Sequence, residues 1–215
     1  MYALDLPGHG KSQAHGGKQT ISGYARLVLD WLAVLKLGRA VFVGHSMGSA
    51  VALVLAIHHP EHVLGIGLVG CGVRLRVNPE VLNAAASPTT SLKAVKTLVS
   101  RSFSSSAPPR LVELVEKRMG ETRQSVFYGD LLACNEFDVS EQIAQVNQPA
   151  LVVCGQDDQM TPPRYAQYLA DAIPQAQLQL IPVAGHMVML EQPQAVASAL
   201  ESWLKTIPFN PGEVS

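Results

Sequence analysis

A serine, an aspartate and a histidine in this 215-residue chain fall where nucleophilic chemistry would need them. Ser46 sits in Gly44-His45-Ser46-Met47-Gly48. A Gly-x-Ser-x-Gly pentapeptide on a strand-to-helix turn holds its serine on a sharp bend with the hydroxyl exposed. A serine hydroxyl is a weak nucleophile at neutral pH, so it needs a base, and the base needs a group that orients it. His186, in Ala184-Gly185-His186-Met187, is the candidate base. Asp157 and Asp158, in Gly155-Gln156-Asp157-Asp158-Gln159-Met160-Thr161-Pro162, are the candidate orienting carboxylates. The amide of Met47 would open a helix and can donate to a developing oxyanion. The chemistry would be attack of Ser46 on a carbonyl carbon. The competing readings are a serine that merely caps a helix beside packing glycines, and a histidine that packs in a loop.

These residues need a frame. Ala40 to Gly44 is a continuous apolar run ending in glycine and reads as a buried strand. Val63 to Val69 and Ala150 to Cys154 read the same way, and Leu178 to Pro182 is a weaker strand. Between them lie helical patterns. Ile21, Tyr24, Leu27, Val28, Trp31, Leu32 and Leu35 follow the three-four spacing, with Thr20 as N-cap. Ser46 to His58, Pro163 to Ile173 and Pro193 to Ile207 are further helices. Strands alternating with helices predict an α/β fold, a mostly parallel sheet covered on both faces. Ser46, Asp158 and His186 each follow the carboxyl end of a predicted strand, and in a parallel sheet those ends share one edge. From Gly72 to Gln148 there is no convincing strand. Pro79 to Ser87, Ser91 to Ser102, Arg110 to Met119 and Ser125 to Asn135 read as short helices, an insertion between two strands.

Composition narrows the function classes. Hydrophobic residues make up 47% and charged residues 15% of the chain, which predicts much buried surface rather than disorder. Sixteen Lys and Arg nearly balance seventeen Asp and Glu, so no basic excess exists to neutralise nucleic-acid phosphates. The apolar run from Val51 to Ile57 is far short of the ~20 residues of a membrane span. Residues 1–15 do not have the pattern of a signal peptide. Cys71, Cys134 and Cys154 are scattered and odd in number, which fits a reduced, cytoplasmic setting. Cys154 ends a strand and reads as a packing thiol, and for Cys71 and Cys134 a place away from the pocket is favoured over one beside it. His9 reads as structural, His45 as packing beside the serine, and His58, His59 and His62 as surface residues without a metal role. Phe103, Phe127, Tyr128 and Phe137 read mostly as the insertion's own core.

Several segments together resemble one family. Leu4-Asp5-Leu6-Pro7-Gly8-His9-Gly10-Lys11-Ser12 resembles an Asp-x-Pro-Gly-His-Gly-x-Ser loop, and Gly44 to Gly48 resembles a nucleophile elbow. Gly155 to Pro162 resembles a Gly-x-x-Asp-x-x-x-Pro acid loop, and Gly185 to Pro193 a histidine loop. The chain thus resembles the α/β-hydrolase superfamily, in its bacterial branch of small esterases, enol-lactonases and cofactor-free haloperoxidases. The resemblance selects Asp158 over Asp157. It implies a serine hydrolase of small esters or lactones with a catalytic triad of Ser46, His186 and Asp158, an oxyanion donor at Met47, and no cofactor or metal. It further implies a core from residues 1–71 and 149–215, with residues 72–148 as a helical cap. The family pattern also places three strands, and a His-Gly loop carrying a second oxyanion donor, ahead of the segment resembling Tyr2 to Ser12. Here nothing precedes Met1, and His15-Gly16 has no strand before it. The expectation is an N-terminally truncated hydrolase fold of weaker activity, either a fragment or a shortened protein that re-pairs its sheet. The strand ending at Asp5 and the strand at Ala40 to Gly44 would then be unpaired or forced together.

Two other function classes compete. Gly10-Lys11-Ser12 suggests a P-loop, but the first glycine of Gly-x-x-x-x-Gly-Lys-Ser would fall on Asp5, whose carboxylate repels phosphate. A non-catalytic relative that binds a small ligand under the insertion is the second. Substrate identity and oligomeric state are not encoded in any of these motifs.

Overall fold

The computed structural model describes residues 1–13 and 19–208. His15-Gly16 lies outside the described residues. The sheet is four-stranded, parallel throughout, in the order β1-β2-β3-β4: β1 is Ala40–His45, β2 Val63–Val69, β3 Ala150–Gly155 and β4 Ala176–Ile181. The helices are α1 Ile21–Val34, α2 Met47–His58, α3 Pro79–Ala85, α4 Ser91–Ser102, α5 Pro109–Gly120, α6 Gln124–Glu136, α7 Pro163–Ala172, α8 Val188–Glu191 and α9 Pro193–Leu204. The α/β expectation holds, with most boundaries within a residue or two of the pattern.

Period-two alternation explains why β2 and β3 read as continuous apolar runs. On β3, Ala150, Val152 and Cys154 face one core with α2 and α7, whereas Leu151 and Val153 face a second core with Val196 and Trp203 of α9. Both faces are covered, so no polar face is left to show. Every residue of β3 is buried, and of β2 only Leu64 is less than fully so. α2 is apolar nearly all round and buried from Ser49 to Ile57, as a helix wedged between layers must be. α1 is anchored by Thr20, whose hydroxyl accepts from the Gly23 amide at 2.9 Å.

The edge of the sheet departs from expectation. Tyr2 to Asp5 forms no strand and does not pair with β1, which is an edge strand with Val43 half exposed. Of the two outcomes expected for this segment, the unpaired one is found: among the described residues no strand lies between it and β1, and its last residue closes a turn. The Asp5 carbonyl accepts from the Ser12 hydroxyl, and its carboxylate accepts from the Lys11 amide at 3.0 Å. Gly10 closes that turn at φ +51°, and a Cβ there would overlap the Asp5 carboxylate. Asp5, the residue that argues against a phosphate loop, is the anchor of this turn. Tyr2 instead stands edge-on to Trp31 of α1, with ring centroids 5.3 Å apart.

Helices α3 to α6 lie in sequence between β2 and β3, as expected of the insertion. Its two ends are stitched together by an antiparallel bridge between Arg74 and Asp138, with the Val139 amide donating to the Val73 carbonyl. Val81, Val95, Val99, Phe103, Phe127 and Leu131 form its own apolar core. Phe103 and Phe127 therefore serve that core, while Phe137 joins the larger sheet core.

Candidate active site

The bend between β1 and α2 is built by close backbone approach. A Cβ on Gly44 would overlap the Gly48 carbonyl, so only glycine fits there. At Gly48 a Cβ would meet open space; its backbone is what Gly44 approaches. Ser46 sits at φ 51°, ψ −112°, a strained conformation for a non-glycine residue. Its amide donates to the Val69 carbonyl at 2.8 Å, and its side chain makes no capping hydrogen bond. The helix-cap reading of Ser46 therefore fails. Ser49, one turn on, pins the bend: its hydroxyl donates to the Gly44 carbonyl at 2.6 Å and accepts from the Val69 amide at 3.0 Å.

Asp158 and His186 meet directly. His186 Nδ1 lies 2.9 Å from Asp158 Oδ2, and both side chains are almost wholly buried. The other Asp158 oxygen accepts from the Met160 and Thr161 amides, each at 2.8 Å, and the Thr161 hydroxyl donates to Oδ2 at 2.8 Å. Burial pushes this carboxyl up, but the hydrogen bonds from His186 and Thr161 outweigh it and hold the pKa below the usual carboxylate range. Asp157 is exposed, and of the two carboxylates it is Asp158 that meets His186.

Three supporting residues carried no role in the sequence reading. Thr161 fixes the Asp158 carboxylate; its signal was the local Asp-x-x-Thr spacing. Glu191 accepts from the Gly185 amide at 2.7 Å and the Ser104 amide at 2.9 Å, tying the histidine loop to the insertion. Its signal was a carboxylate one short helix beyond His186. His45 was expected only to pack. Its ring lies 4.6 Å from that of His186, and its Nε2 lies 2.9 Å from the His186 carbonyl. Burial, then the neighbouring His186, pushes the His45 pKa down to about 3. The neutral ring donates Nε2–H to that carbonyl and holds the histidine loop from below.

Ser46 and His186 line one cavity of about 650 Å³. No direct hydrogen bond joins them among the described residues. Its walls come from the extended segment 73–77, from α4 and α6, and from the first turns of α7. Of the cysteines, Cys134 lines the cavity; all three are free and buried, and burial pushes each thiol up to about 12. Tyr165 and Tyr168, not the insertion's aromatics, are the aromatic lining residues. The described residues hold no cluster of His, Cys, Asp and Glu with metal-binding geometry.

His9 is structural, as expected, and its contact reaches across the molecule. Its Nε2 lies 3.0 Å from Asp130 of α6, whose other oxygen accepts from the Tyr24 hydroxyl of α1. The hydrogen bond to Asp130 is the main reason the His9 pKa is raised.

Sequence and structure comparisons place the fold among known proteins. The family described as alpha/beta hydrolase fold matches residues 1–193. The chain belongs to that family. It is 29% identical over 216 residues to the dihydrolipoyllysine-residue acetyltransferase component of the acetoin cleaving system of Pseudomonas putida, covering 95% of this chain and 56% of that protein. It is 27% identical over 214 residues to 3-oxoadipate enol-lactonase 2 of Acinetobacter baylyi, covering 95% of this chain and 78% of the lactonase. A solved thermophilic esterase superposes with a TM-score of 0.85 at 36% identity, covering 94% of this chain and 79% of the esterase. No helix among the described residues is long and apolar enough to cross a membrane.

Proposed function

We propose that this chain hydrolyses small carboxylic esters or lactones through an acyl-enzyme, with Ser46 as nucleophile. The esterase and enol-lactonase relatives make it a carboxylic ester hydrolase-like enzyme. The observation that carries the mechanism is the buried, hydrogen-bonded Asp158–His186 pair, with His186 on the same cavity as a strained, uncapped Ser46. His186 takes the Ser46 proton as Oγ attacks the carbonyl, and Asp158 holds the Nδ1–H tautomer and stabilises the imidazolium. The Ser46 side chain turns toward His186 Nε2 once substrate is bound, since such contacts commonly tighten only in the complex. The Met47 N–H, first of α2, has no acceptor within its own helix and faces the negative charge forming on the carbonyl oxygen. The same His186 then activates water against the acyl-enzyme. Residues 72–148 serve as the cap that limits acyl size, and the reaction is cytoplasmic and needs no cofactor.

The test is hydrolysis of p-nitrophenyl acetate and butyrate by the purified chain beside Ser46→Ala. Loss of about 10³-fold or more in kcat is expected in the variant. Equal rates in the two folded proteins would overturn the mechanism. They would favour the second reading, a small-ligand binder, for which the missing Ser46–His186 hydrogen bond is the supporting observation.

A further inference from the structure

The cavity that holds Ser46 and His186 sorts its lining by burial. Its buried wall is uncharged, from Leu75, Leu131 and Cys134. Its exposed rim carries three arginines, Arg74, Arg76 and Arg164. The described lining residues include no carboxylate. In a chain with a formal net charge of −1, three cations facing one mouth are a local excess.

The arginines are not equivalent. Arg74 Nε and Arg76 Nη2 lie 2.9 Å and 3.2 Å from the same oxygen of Asp138. One carboxylate against two guanidinium groups leaves a surplus positive charge. Arg164, in the first turn of α7, has no carboxylate within ion-pair distance among the described residues. Its guanidinium lies over the Tyr165 ring, 5.0 Å from the centroid. Stacking on a ring face satisfies the plane of the guanidinium and leaves its N–H edge free for a planar acceptor.

We infer that this rim is an anion subsite, and that the substrate is an ester or lactone carrying a carboxylate away from the reacting carbonyl. The inference rests on the hydrolase reading above and names the substrate class for that site. The apolar part of the substrate packs against Leu75 and Leu131. The carboxylate meets the free edge of Arg164, and the surplus charge of the Arg74–Arg76 pair adds to the field. A guanidinium fork and a carboxylate match in two parallel hydrogen bonds, so the rim selects charge and shape together.

Monomethyl adipate and methyl hexanoate test it. Their acyl chains have the same length and differ in a terminal carboxylate against a methyl group. The readout is the ratio of their kcat/KM values. The wild type is expected to favour the adipate ester. Arg164→Gln lowers the ratio by about tenfold, through KM, because one charge-assisted contact is lost. Arg164→Lys retains part of the preference, and raising the salt concentration lowers the wild-type ratio. General damage to the fold would lower both rates and leave the ratio in place. Hydrolysis of both esters with a ratio that ignores Arg164→Gln overturns the anion subsite and leaves the hydrolase reading intact. Hydrolysis of neither methyl ester overturns that substrate class, and failure on p-nitrophenyl acetate as well overturns the hydrolase reading. Binding of monomethyl adipate to Ser46→Ala, followed by calorimetry, then decides the subsite alone. Weakening of about tenfold in the Ser46→Ala/Arg164→Gln double variant sustains it, and no binding or equal binding overturns it.

Discussion

The sheet-edge corner that holds Ser46, Asp158 and His186 and the helical insertion that walls it are held together by different physics. In the corner almost every atom is spoken for. Gly44 has no room for a methyl group, Ser49 makes hydrogen bonds to two strands, and Asp158 accepts four hydrogen bonds. In the insertion, α5 has no fully buried residue, and surface ion pairs such as Arg118–Glu121 decorate it. Exposed pairs of this kind contribute about 0–1 kcal/mol each. Under the proposed mechanism the corner would fix where charge develops, and the insertion, which supplies Leu98, Leu131 and Cys134 to the cavity, would fix what can reach it. A site built this way can change its substrate without moving its chemistry, because the two tasks rest on separate packing.

The comparison is easiest to break at Asp158. Asp158→Asn keeps the shape but reverses the preferred tautomer of His186, and esterase kcat should fall about 10⁴-fold while the fold persists. Initial rates on p-nitrophenyl butyrate, with thermal unfolding measured alongside, check both halves. A drop of less than tenfold would mean that His186 is oriented by something other than Asp158, and the corner would lose its claim to be the rigid half.

Much of that corner was legible in the residue string because its signals are local. A glycine two residues from a serine, an apolar run before it and a helical pattern after it all lie within one short stretch. The pair that matters most, Asp158 and His186, could be proposed because both follow strand ends. The choice between Asp157 and Asp158 came from likeness to a family, and the buried Asp158 is the one found against His186. The walls were less legible. Arg164, Tyr165 and Tyr168 lie on one face of α7, a spacing visible in the sequence, but which way that face points is a tertiary fact. The strand expected at Tyr2 to Asp5 is not formed: among the described residues no strand lies between it and β1 to pair with, and its last residue closes a turn. β4 shows alternating exposure, so its apolar signal is diluted, and its span runs from Ala176 rather than Leu178.

His45 sharpens the comparison through pH. Its folded pKa is depressed, so the unfolded chain binds the extra proton first. Stability is present above the ordinary histidine value of 6.5 and is lost as pH falls from there toward about 3. His9 works the other way: its pKa is raised, its contribution is complete below 6.5, and it is lost as pH rises through the raised value. Asp158, with a lowered pKa, contributes above its ordinary 3.8 and loses that contribution as pH falls through the lowered value. Between pH 7 and 4.5, therefore, the His45 contribution dominates among these three. Urea unfolding at the two pH values should show a loss of about 2 kcal/mol in the wild type. The loss should shrink in His45→Gln, which can still donate to the His186 carbonyl without titrating. An equal loss in both proteins would place the acid sensitivity outside the corner.

Glu191 is where the two regions touch, and it carries the smallest expected effect. One carboxylate oxygen holds Gly185 beside His186, and the other holds Ser104 at the end of α4. The Met187 amide donates to the Ser102 carbonyl at 2.9 Å alongside it. Glu191→Gln keeps one acceptor oxygen and removes the charge, so about 1.5 kcal/mol of stability should be lost. If the corner is rigid in its own right, kcat on p-nitrophenyl acetate should fall less than the rate on the longer butyrate ester, because only the wall has been loosened. A uniform fall on both esters would show that the insertion also braces His186, and that chemistry and selection share one support after all.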